Sequence, residues 1–157
     1  MKIKWVKLIL SILMCQGAGL IGSIFTGQSV NTWYPTITKP SFTPPNWIFA
    51  PVWTILFILL GVSFYFVWIK KTEKQKSKAF TIFFIQLGLN ILWSAVFFGM
   101  RSPLGGLIVI VFLWTAIFIT INKFKPISLT SAWLLAPYFS WVSFAAVLNY
   151  SIFILNR

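Results

Sequence analysis

The chain has 157 residues, 59% of them hydrophobic and 9% charged, with a formal net charge of +12. Soluble globular proteins carry about 25% charged residues, so this chain lacks the polar coat that water requires and suits a lipid bilayer instead. One acidic residue and no histidine exclude most protein-built metal sites and any Ser-His-Asp arrangement.

Five apolar stretches are long enough to cross the hydrocarbon core of a bilayer, which takes about 20 helical residues. We therefore predict an all-α integral membrane protein, a single five-transmembrane-helix bundle over residues 1–157. The predicted helices cover residues 7–26, 47–68, 79–99, 104–122 and 129–155.

In the first predicted helix, Lys2, Lys4 and Lys7 come before the apolar run, a pattern that is also found in secretory signal peptides. Its apolar run continues past Cys15 to Phe25, which is longer than a signal-peptide core, so we prefer a membrane-spanning helix. One face of this helix carries Gly19, Ser23 and Thr26, with Gly17 and Gly22 nearby. These small residues favour close packing against another helix, with a homodimer contact as the alternative.

The loop over residues 27–46 contains Pro35, Pro40, Pro44 and Pro45. Four prolines restrict its backbone, and long ordered loops often cover a binding site. We predict that this loop is a lid, with a rigid spacer as the alternative.

The third helix carries Gln86, Asn90, Trp93 and Phe97 at i, i+4, i+7 and i+11, which places them on one face. Two amides beside an indole can bind a ligand, but they can equally hydrogen-bond to neighbouring helices. The sequence leaves both interpretations open.

The fifth helix carries Tyr138, Trp141 and Ala145 on a similar face, and Pro137 interrupts its i to i−4 hydrogen bonds. We expect a kink there, and we predict that it splays the helices and opens a cavity near the outer third of the bundle. Close helix packing at Ala145 is the alternative.

Six of the nine tryptophans fall into two groups by position. Those at helix ends are expected in the membrane interface, where an indole satisfies both an apolar and a polar side. Deeper ones can wall a slot for a flat aromatic ligand, at about 0.5–1.5 kcal/mol per ring pair. The expected interfacial residues are Trp5, Trp47 and Trp68, and the expected deep residues are Trp53, Trp93 and Trp141.

Basic residues are distributed unevenly between the two sides of the predicted bundle. Because cytoplasmic segments are enriched in lysine and arginine, we predict a cytoplasmic N-terminus and an external C-terminus in a bacterial cell membrane. We expect these side chains to meet lipid headgroups rather than nucleic acid. The N-terminal side holds Lys2, Lys4, Lys7, Lys70, Lys71, Lys74, Lys76, Lys78, Lys123 and Lys125, and the other side holds Lys39, Arg101 and Arg157.

Several segments carry a family resemblance. They read Trp33-Tyr34-Pro35, Lys39-Pro40-Ser41-Phe42-Thr43-Pro44-Pro45-Asn46-Trp47, Ala50-Pro51-Val52-Trp53-Thr54, Asn90-Ile91-Leu92-Trp93, Phe97-Phe98-Gly99, Arg101-Ser102-Pro103, Pro137-Tyr138-Phe139-Ser140-Trp141 and Leu148-Asn149-Tyr150. In these segments the chain resembles the tryptophan-rich sensory protein / translocator protein (peripheral benzodiazepine receptor) family across all five helices.

The resemblance implies a porphyrin pocket beneath the first loop. It implies ligand-binding roles for Phe49, Ala50, Trp53, Asn90, Trp93, Trp141, Ala145 and Leu148, and a lid that includes Trp33, Lys39, Pro40, Pro44 and Pro45. It also implies homodimers. The family's proposed sterol motif fails here, because six residues separate Tyr150 from Arg157.

The function that the resemblance implies is that of a membrane receptor or carrier for protoporphyrin IX-type tetrapyrroles, in sensing, transport or homeostasis. One alternative is a light-dependent porphyrin-degrading enzyme in which Trp53 and Trp141 are catalytic, and another is a non-catalytic bundle that recruits partners. No cofactor or metal is expected to be required. Because the chain has no histidine, metal-free porphyrin should bind at least as well as haem. Lys39 or Arg101 is a candidate partner for the porphyrin carboxylates.

Overall fold

The computed structural model describes residues 3–71 and 73–157, without the side chains of residues 73–75. Lys2 and the side chain of Lys74, which entered the charge prediction, lie outside this description. The described residues contain no strand and six α-helices. These are α1 (Trp5–Ser29), α2 (Asn46–Trp68), α3 (Glu73–Ser94, continued by a π-helical turn Ala95–Gly99), α4 (Pro103–Phe124), α5 (Leu129–Leu134) and α6 (Ala136–Leu155).

Five helical segments are long and apolar enough to cross a membrane. They are α1, α2, α3 with its π-turn, α4, and the pair α5–α6, and their mean hydropathy ranges from 1.5 to 2.6. The outer surface carries many exposed side chains of leucine, isoleucine, valine and phenylalanine, as a lipid-facing surface requires. The prediction of an all-α integral membrane bundle with five transmembrane segments is therefore confirmed.

Most helix ends lie within three residues of the predicted ones, and the start of α3 differs most. It begins at Glu73, whereas the prediction began at residue 79. The added residues are mainly lysine, glutamate and glutamine, which favour helix without being apolar. Hydropathy therefore located the part of α3 that fits the hydrocarbon core and missed the turns that extend beyond it.

The fifth span is broken rather than kinked. Its first part, α5, ends at Leu134, and Pro137 is the second residue of α6, where a missing N–H costs little. Ser63 on α2 and Ser131 on α5 each donate a hydroxyl hydrogen bond to the other's carbonyl oxygen, at 2.9 and 2.8 Å.

The position predicted for the cavity beside Pro137 is wrong. Because Ser63 lies near the end of α2 remote from the first loop, the break beside Pro137 also lies at that end of the bundle. The prediction placed the cavity in the outer third of the bundle, which is the third nearest the first loop. The fifth span, however, begins at the end of the bundle opposite to that loop. The larger cavity lies instead between α1, α2 and α3.

The helices form a ring in which α1 packs on α2 and α3, α4 packs on α3 and α6, and α5–α6 closes the ring against α2. The tightest seam joins α1 and α2 at Gly61. A Cβ atom there would lie 2.6 Å from the Ile12 Cα atom, so only glycine permits this backbone approach. The seam fixes the two helices together at the end of the bundle remote from the first loop.

Candidate ligand-binding site

A cavity of about 450 Å³ lies between α1, α2 and α3, in the half of the bundle nearer the first loop. This volume falls in the range of about 300–1,000 Å³ that is usual for small-molecule sites. Its wall is mostly apolar and aromatic, with hydroxyl and amide groups among the rings. The lining residues are Gln16, Gly19, Leu20, Gly22, Ser23, Thr26, Gly27, Val30, Asn46, Phe49, Ala50, Trp53, Thr54, Phe57, Asn90, Trp93, Ser94 and Phe98.

Two indoles form the inner wall of this cavity. The rings of Trp53 on α2 and Trp93 on α3 lie 6.3 Å apart between centroids, at an interplanar angle of 34°. Trp53 also contacts Phe57 and Tyr138, while Trp93 stacks on Phe97 at 5.6 Å. Because each ring is held by several neighbours, the wall is an ordered apolar surface against which a flat ligand can lie.

A second, much smaller cavity of about 20 Å³ lies on the other side of this wall. Phe49, Trp53, Trp93 and Phe98 line both cavities. The remaining residues of the smaller cavity come from α3, α6 and the first loop. They are Tyr34, Phe97, Trp141, Ala145, Leu148, Asn149 and Ile152.

The eight residues proposed as ligand contacts therefore divide between two adjoining cavities. Those that line the larger one are Phe49, Ala50, Trp53, Asn90 and Trp93. Those that line only the smaller one are Trp141, Ala145 and Leu148. Phe49 stands between the two groups, since its ring lies 6.1 Å from that of Trp141. The three predicted deep tryptophans therefore do not line one slot. Side chains that were expected to line that slot divide the space into two cavities.

Two separate hydrogen-bond chains adjoin the wall. Asn90 Nδ2 donates to the Tyr138 hydroxyl at 2.8 Å, and that hydroxyl donates to Gln86 Oε1 at 3.0 Å. Trp93 Nε1 donates to Asn149 Oδ1 at 3.1 Å, and Asn149 Nδ2 donates to the Pro103 carbonyl at 2.8 Å. Of the two interpretations that the sequence left open, the hydrogen bond between helices is present, since Asn90 joins α3 to α6. Asn90 also lines the larger cavity, and its contact with a ligand stays a prediction.

Two buried donors near the site have no hydrogen-bond partner among the described residues. They are Gln86 Nε2 and Trp141 Nε1. Leaving such a donor unpaired costs about 1–3 kcal/mol. The Trp141 indole belongs to the wall of the smaller cavity, so a ligand acceptor that reached this cavity would relieve that cost.

The outer wall of the larger cavity was missed as part of a site. On α1, Gly22, Ser23 and Thr26 were interpreted as a packing surface, and Ser94 was not considered. Thr26 and Ser94 share a hydroxyl–hydroxyl hydrogen bond of 2.7 Å, and Ser94 Oγ also donates to the Gly22 carbonyl at 2.7 Å. The signal was present in the small polar residues of α1, which both permit close packing and leave space beside it.

The π-helical turn Ala95–Gly99 shapes the loop end of both cavities. Its i to i−5 geometry is seen in the bond from Met100 N to the Ala95 carbonyl, at 2.8 Å. The turn brings Phe97 and Phe98 inward together, and both are buried. Ser29 Oγ donates to the Phe98 carbonyl at 2.7 Å, at the end of the helix, where carbonyl groups lack intrahelical donors.

The first loop covers the end of the smaller cavity. Trp33 packs on Phe97 at 5.7 Å and Tyr34, in a 3₁₀ turn over Tyr34–Thr36, packs on Phe98 at 5.7 Å. Burial raises the pKa of Tyr34 to about 12. Pro40 precedes a turn closed by the bond from Thr43 N to its carbonyl, at 3.1 Å. Pro44 and Pro45 then lead into the first turn of α2, for which Pro45 is the N-cap.

Lys39 and Arg101, the candidate partners for the porphyrin carboxylates, lie outside the two cavities. Lys39 Nζ donates to the carbonyls of Tyr34, Ile37 and Pro35, at 2.8, 3.1 and 3.4 Å. It therefore ties the loop together, which uses the three donors of its ammonium group. Arg101 lies in the exposed α3–α4 connection with a φ of 54°, and neither residue lines either cavity.

No metal-binding cluster of three or more histidine, cysteine or acidic residues occurs within the part of the chain that the structure describes. Cys15 is buried and free. What the site offers a ligand is therefore aromatic surface, hydroxyl groups and amide groups.

The fold and the cavity define an integral membrane protein with a small-molecule-sized hollow inside a five-span bundle. A family model for the TspO/MBR family matches residues 11–155. The tryptophan-rich protein TspO of Archaeoglobus fulgidus is 47% identical over 150 residues, which is 96% of this chain and 97% of the relative. The protein of the same name from Chlorobaculum tepidum is 46% identical over 150 residues, or 95% of each chain. The translocator protein of Bos taurus is 30% identical over 148 residues, which is 93% of this chain and 88% of the relative. This chain belongs to the TspO/MBR family.

Proposed function

We propose that this protein is a membrane receptor or carrier that binds porphyrins of the protoporphyrin IX type in the cavity between α1, α2 and α3. The observation that carries the proposal is the volume of about 450 Å³ beside the Trp53–Trp93 wall, within the membrane-spanning part of the bundle. A porphyrin is a flat apolar disc, and two tilted indoles offer such a disc stacking surface. Relatives named translocator protein and tryptophan-rich sensory protein support a role in transport or sensing.

The chemistry of the wall favours a porphyrin without bound iron. Haem proteins hold iron through histidine, cysteine, methionine or tyrosine, and this chain has no histidine. Among the described residues, no cysteine, methionine or tyrosine lines the larger cavity. Metal-free protoporphyrin IX should consequently bind at least as tightly as haem.

An equilibrium titration tests the proposal. Purified protein in lipid vesicles is titrated with protoporphyrin IX in the dark while tryptophan fluorescence is recorded. Ala50 lines the larger cavity and Val147 lies exposed on α6 away from it, so Ala50→Phe adds bulk to the cavity and Val147→Phe introduces the same side chain outside it. We expect saturable quenching that Ala50→Phe weakens by roughly tenfold or more, or about 1.4 kcal/mol, and that Val147→Phe leaves unchanged. Quenching without saturation, or equal effects of the two variants, would contradict porphyrin binding in this cavity.

A light-dependent porphyrin-degrading activity is the second candidate function, and one observation favours it. Trp53 borders the cavity and its ring lies 6.2 Å from that of Tyr138, so two oxidisable aromatic residues are in contact at the proposed site. In this reaction a light-excited porphyrin takes one electron from the Trp53 indole, which leaves an indole radical cation and a porphyrin radical anion. Bleaching of bound porphyrin in light but not in the dark distinguishes this function from binding alone.

A further inference from the structure

The larger cavity is not closed on all sides. Several of its lining residues are exposed on the outer surface of the bundle, and Leu20 retains 67% of its accessible surface. All of them lie on the facing sides of α1 and α2. They are Leu20, Ser23 and Gly27 on α1, and Asn46, Ala50 and Thr54 on α2.

The contacts between α1 and α2 explain where this opening begins. The two helices touch at Gly61 and Ile12, and the Phe57 ring lies against Gly19, where a Cβ atom would be 2.6 Å from it. Gln16 Nε2 then donates to the Thr54 carbonyl at 2.9 Å, which bridges the helices once more. Beyond this bridge Ser23 and Gly27 on α1 and Ala50 on α2 are small, and they leave a gap between the helices.

The opening faces lipid rather than water. Both helices are membrane-spanning segments, and the exposed neighbours of the opening are Ile21 and Ile24 on α1 and Ile55 on α2. Isoleucine side chains exposed on a spanning helix are in contact with acyl chains. A molecule dissolved in the bilayer can therefore meet the cavity without crossing an aqueous phase.

The route from water past the loop end of the smaller cavity is closed. Asn156, at the end of α6, accepts a hydrogen bond from Thr38 N at 2.9 Å and donates one to the Thr38 carbonyl at 2.8 Å. Lys39 holds the adjoining segment through loop carbonyls. The first loop is thus fastened to α6 over the smaller cavity, so a water-borne ligand reaches the tryptophan wall from that side only if the loop opens.

We propose that the cavity exchanges its ligand laterally, with the bilayer, through the opening between α1 and α2. The inference rests on the proposed function, because it takes the occupant to be a flat apolar molecule of the porphyrin class that partitions into lipid. Gln16 and Thr54 lie at the edge of the opening that is remote from the first loop, and Gly27 on α1 lies at the edge nearer that loop.

Two glycines of α1 provide a matched test. A Cβ atom at Gly27 or at Gly17 would have no atom within 4 Å, so both sites accept a larger side chain, but only Gly27 lines the cavity. Association of protoporphyrin IX is followed by stopped-flow quenching in vesicles of one lipid composition, and dissociation by dilution into empty vesicles. We expect Gly27→Phe to slow association by roughly tenfold, whereas Gly17→Phe leaves both rates unchanged.

Four results would overturn the lateral entrance. Unchanged rates in Gly27→Phe would show that the ligand does not pass this point. A weaker equilibrium affinity with an unchanged association rate would make Gly27 part of the binding site instead. Faster exchange in Asn156→Ala would place the entrance under the loop. A change in oligomeric state in Gly27→Phe would show that a second copy of the chain covers the opening. Failure of the proposed function is distinct, since the unmodified protein would then show no saturable quenching at all.

Discussion

Trp53 and Trp93 lie with ring centroids 6.3 Å apart and together separate a cavity of about 450 Å³ from one of about 20 Å³. This wall gives the tryptophans of the site unequal positions. Trp53 faces both cavities, whereas Trp141 faces only the smaller one. A ligand in the larger cavity would therefore touch Trp53 directly and would be separated from Trp141 by Phe49.

That inequality predicts the outcome of the light experiment. If bound porphyrin is bleached by light, Trp53→Phe should slow the bleaching by roughly tenfold or more, which corresponds to about 1.4 kcal/mol, because phenylalanine is much harder to oxidise than tryptophan. Trp141→Phe should have a smaller effect, and Trp114→Phe, at a site on α4 outside both cavities, should have none. The absorbance of bound porphyrin under illumination measures all three. A larger loss in Trp141→Phe than in Trp53→Phe would contradict the position assigned to the ligand.

The seam between α1 and α2 predicts a stability effect at Gly61. Gly61→Ala places a methyl group 2.6 Å from the Ile12 Cα atom, so the helices must separate, at a cost of about 1–3 kcal/mol. Gly88 on α3 is exposed and its Cβ position is open, so Gly88→Ala should be neutral or stabilising by up to about 1 kcal/mol. Thermal unfolding in one detergent compares the two variants. Equal midpoints would mean that the seam can relax without loss.

The clasp between Asn156 and Thr38 predicts local opening of the loop. Asn156→Ala removes both bonds to Thr38, at about 0.5–1.5 kcal/mol each, so hydrogen exchange at the Thr38 amide should accelerate. Asn122→Ala is the control, because within the described part of the chain that side chain bonds only to the Phe118 carbonyl of its own helix, at 2.9 Å. Unchanged exchange at Thr38 in Asn156→Ala would show that the loop is held by its aromatic contacts instead.

The buried Tyr34 predicts an alkaline transition of the same loop. Burial raises the pKa of its hydroxyl from the ordinary value of 10.0 to about 12. The folded loop therefore favours the neutral phenol, and this contribution is fully present below about pH 10 and is lost as the pH rises through about 12. Hydrogen exchange or protease sensitivity of the loop, measured from pH 9 to 12, should show the loss. Tyr34→Phe should abolish that pH dependence, whereas Tyr150→Phe, at an exposed tyrosine, should preserve it.

The sequence determines features that belong to one segment, and it leaves open those that depend on the side chains of a neighbouring segment. Hydropathy located every membrane-spanning segment, because length and apolarity are properties of one segment at a time. The face shared by Asn90 and Trp93 was also correct. The partition by Phe49 was not predictable, since periodicity gives the face of a helix but not the side chain that it meets on a neighbour.

Two other differences have the same origin. Lys39 was expected near a ligand because of its charge, but the loop carbonyls that it binds become neighbours only when the loop folds. The small residues of α1 indicated close packing, and α1 does approach the Phe57 ring at Gly19. They also leave the gap at Ser23 and Gly27, and only the direction of α2 decides which of the two occurs at each position.

The position of the ligand beside the tryptophan wall can be measured directly by fluorine NMR of 5-fluorotryptophan-labelled protein titrated with metal-free protoporphyrin IX in the dark. Resonances are assigned by single Trp→Phe replacements. We predict saturable ring-current shifts at Trp53 and Trp93, with little change at Trp114 and at Trp133, which is 69% exposed on α5. Shifts confined to Trp114 or Trp133, or shifts that never saturate, would place the porphyrin on the lipid-facing surface and contradict an intramembrane binding site.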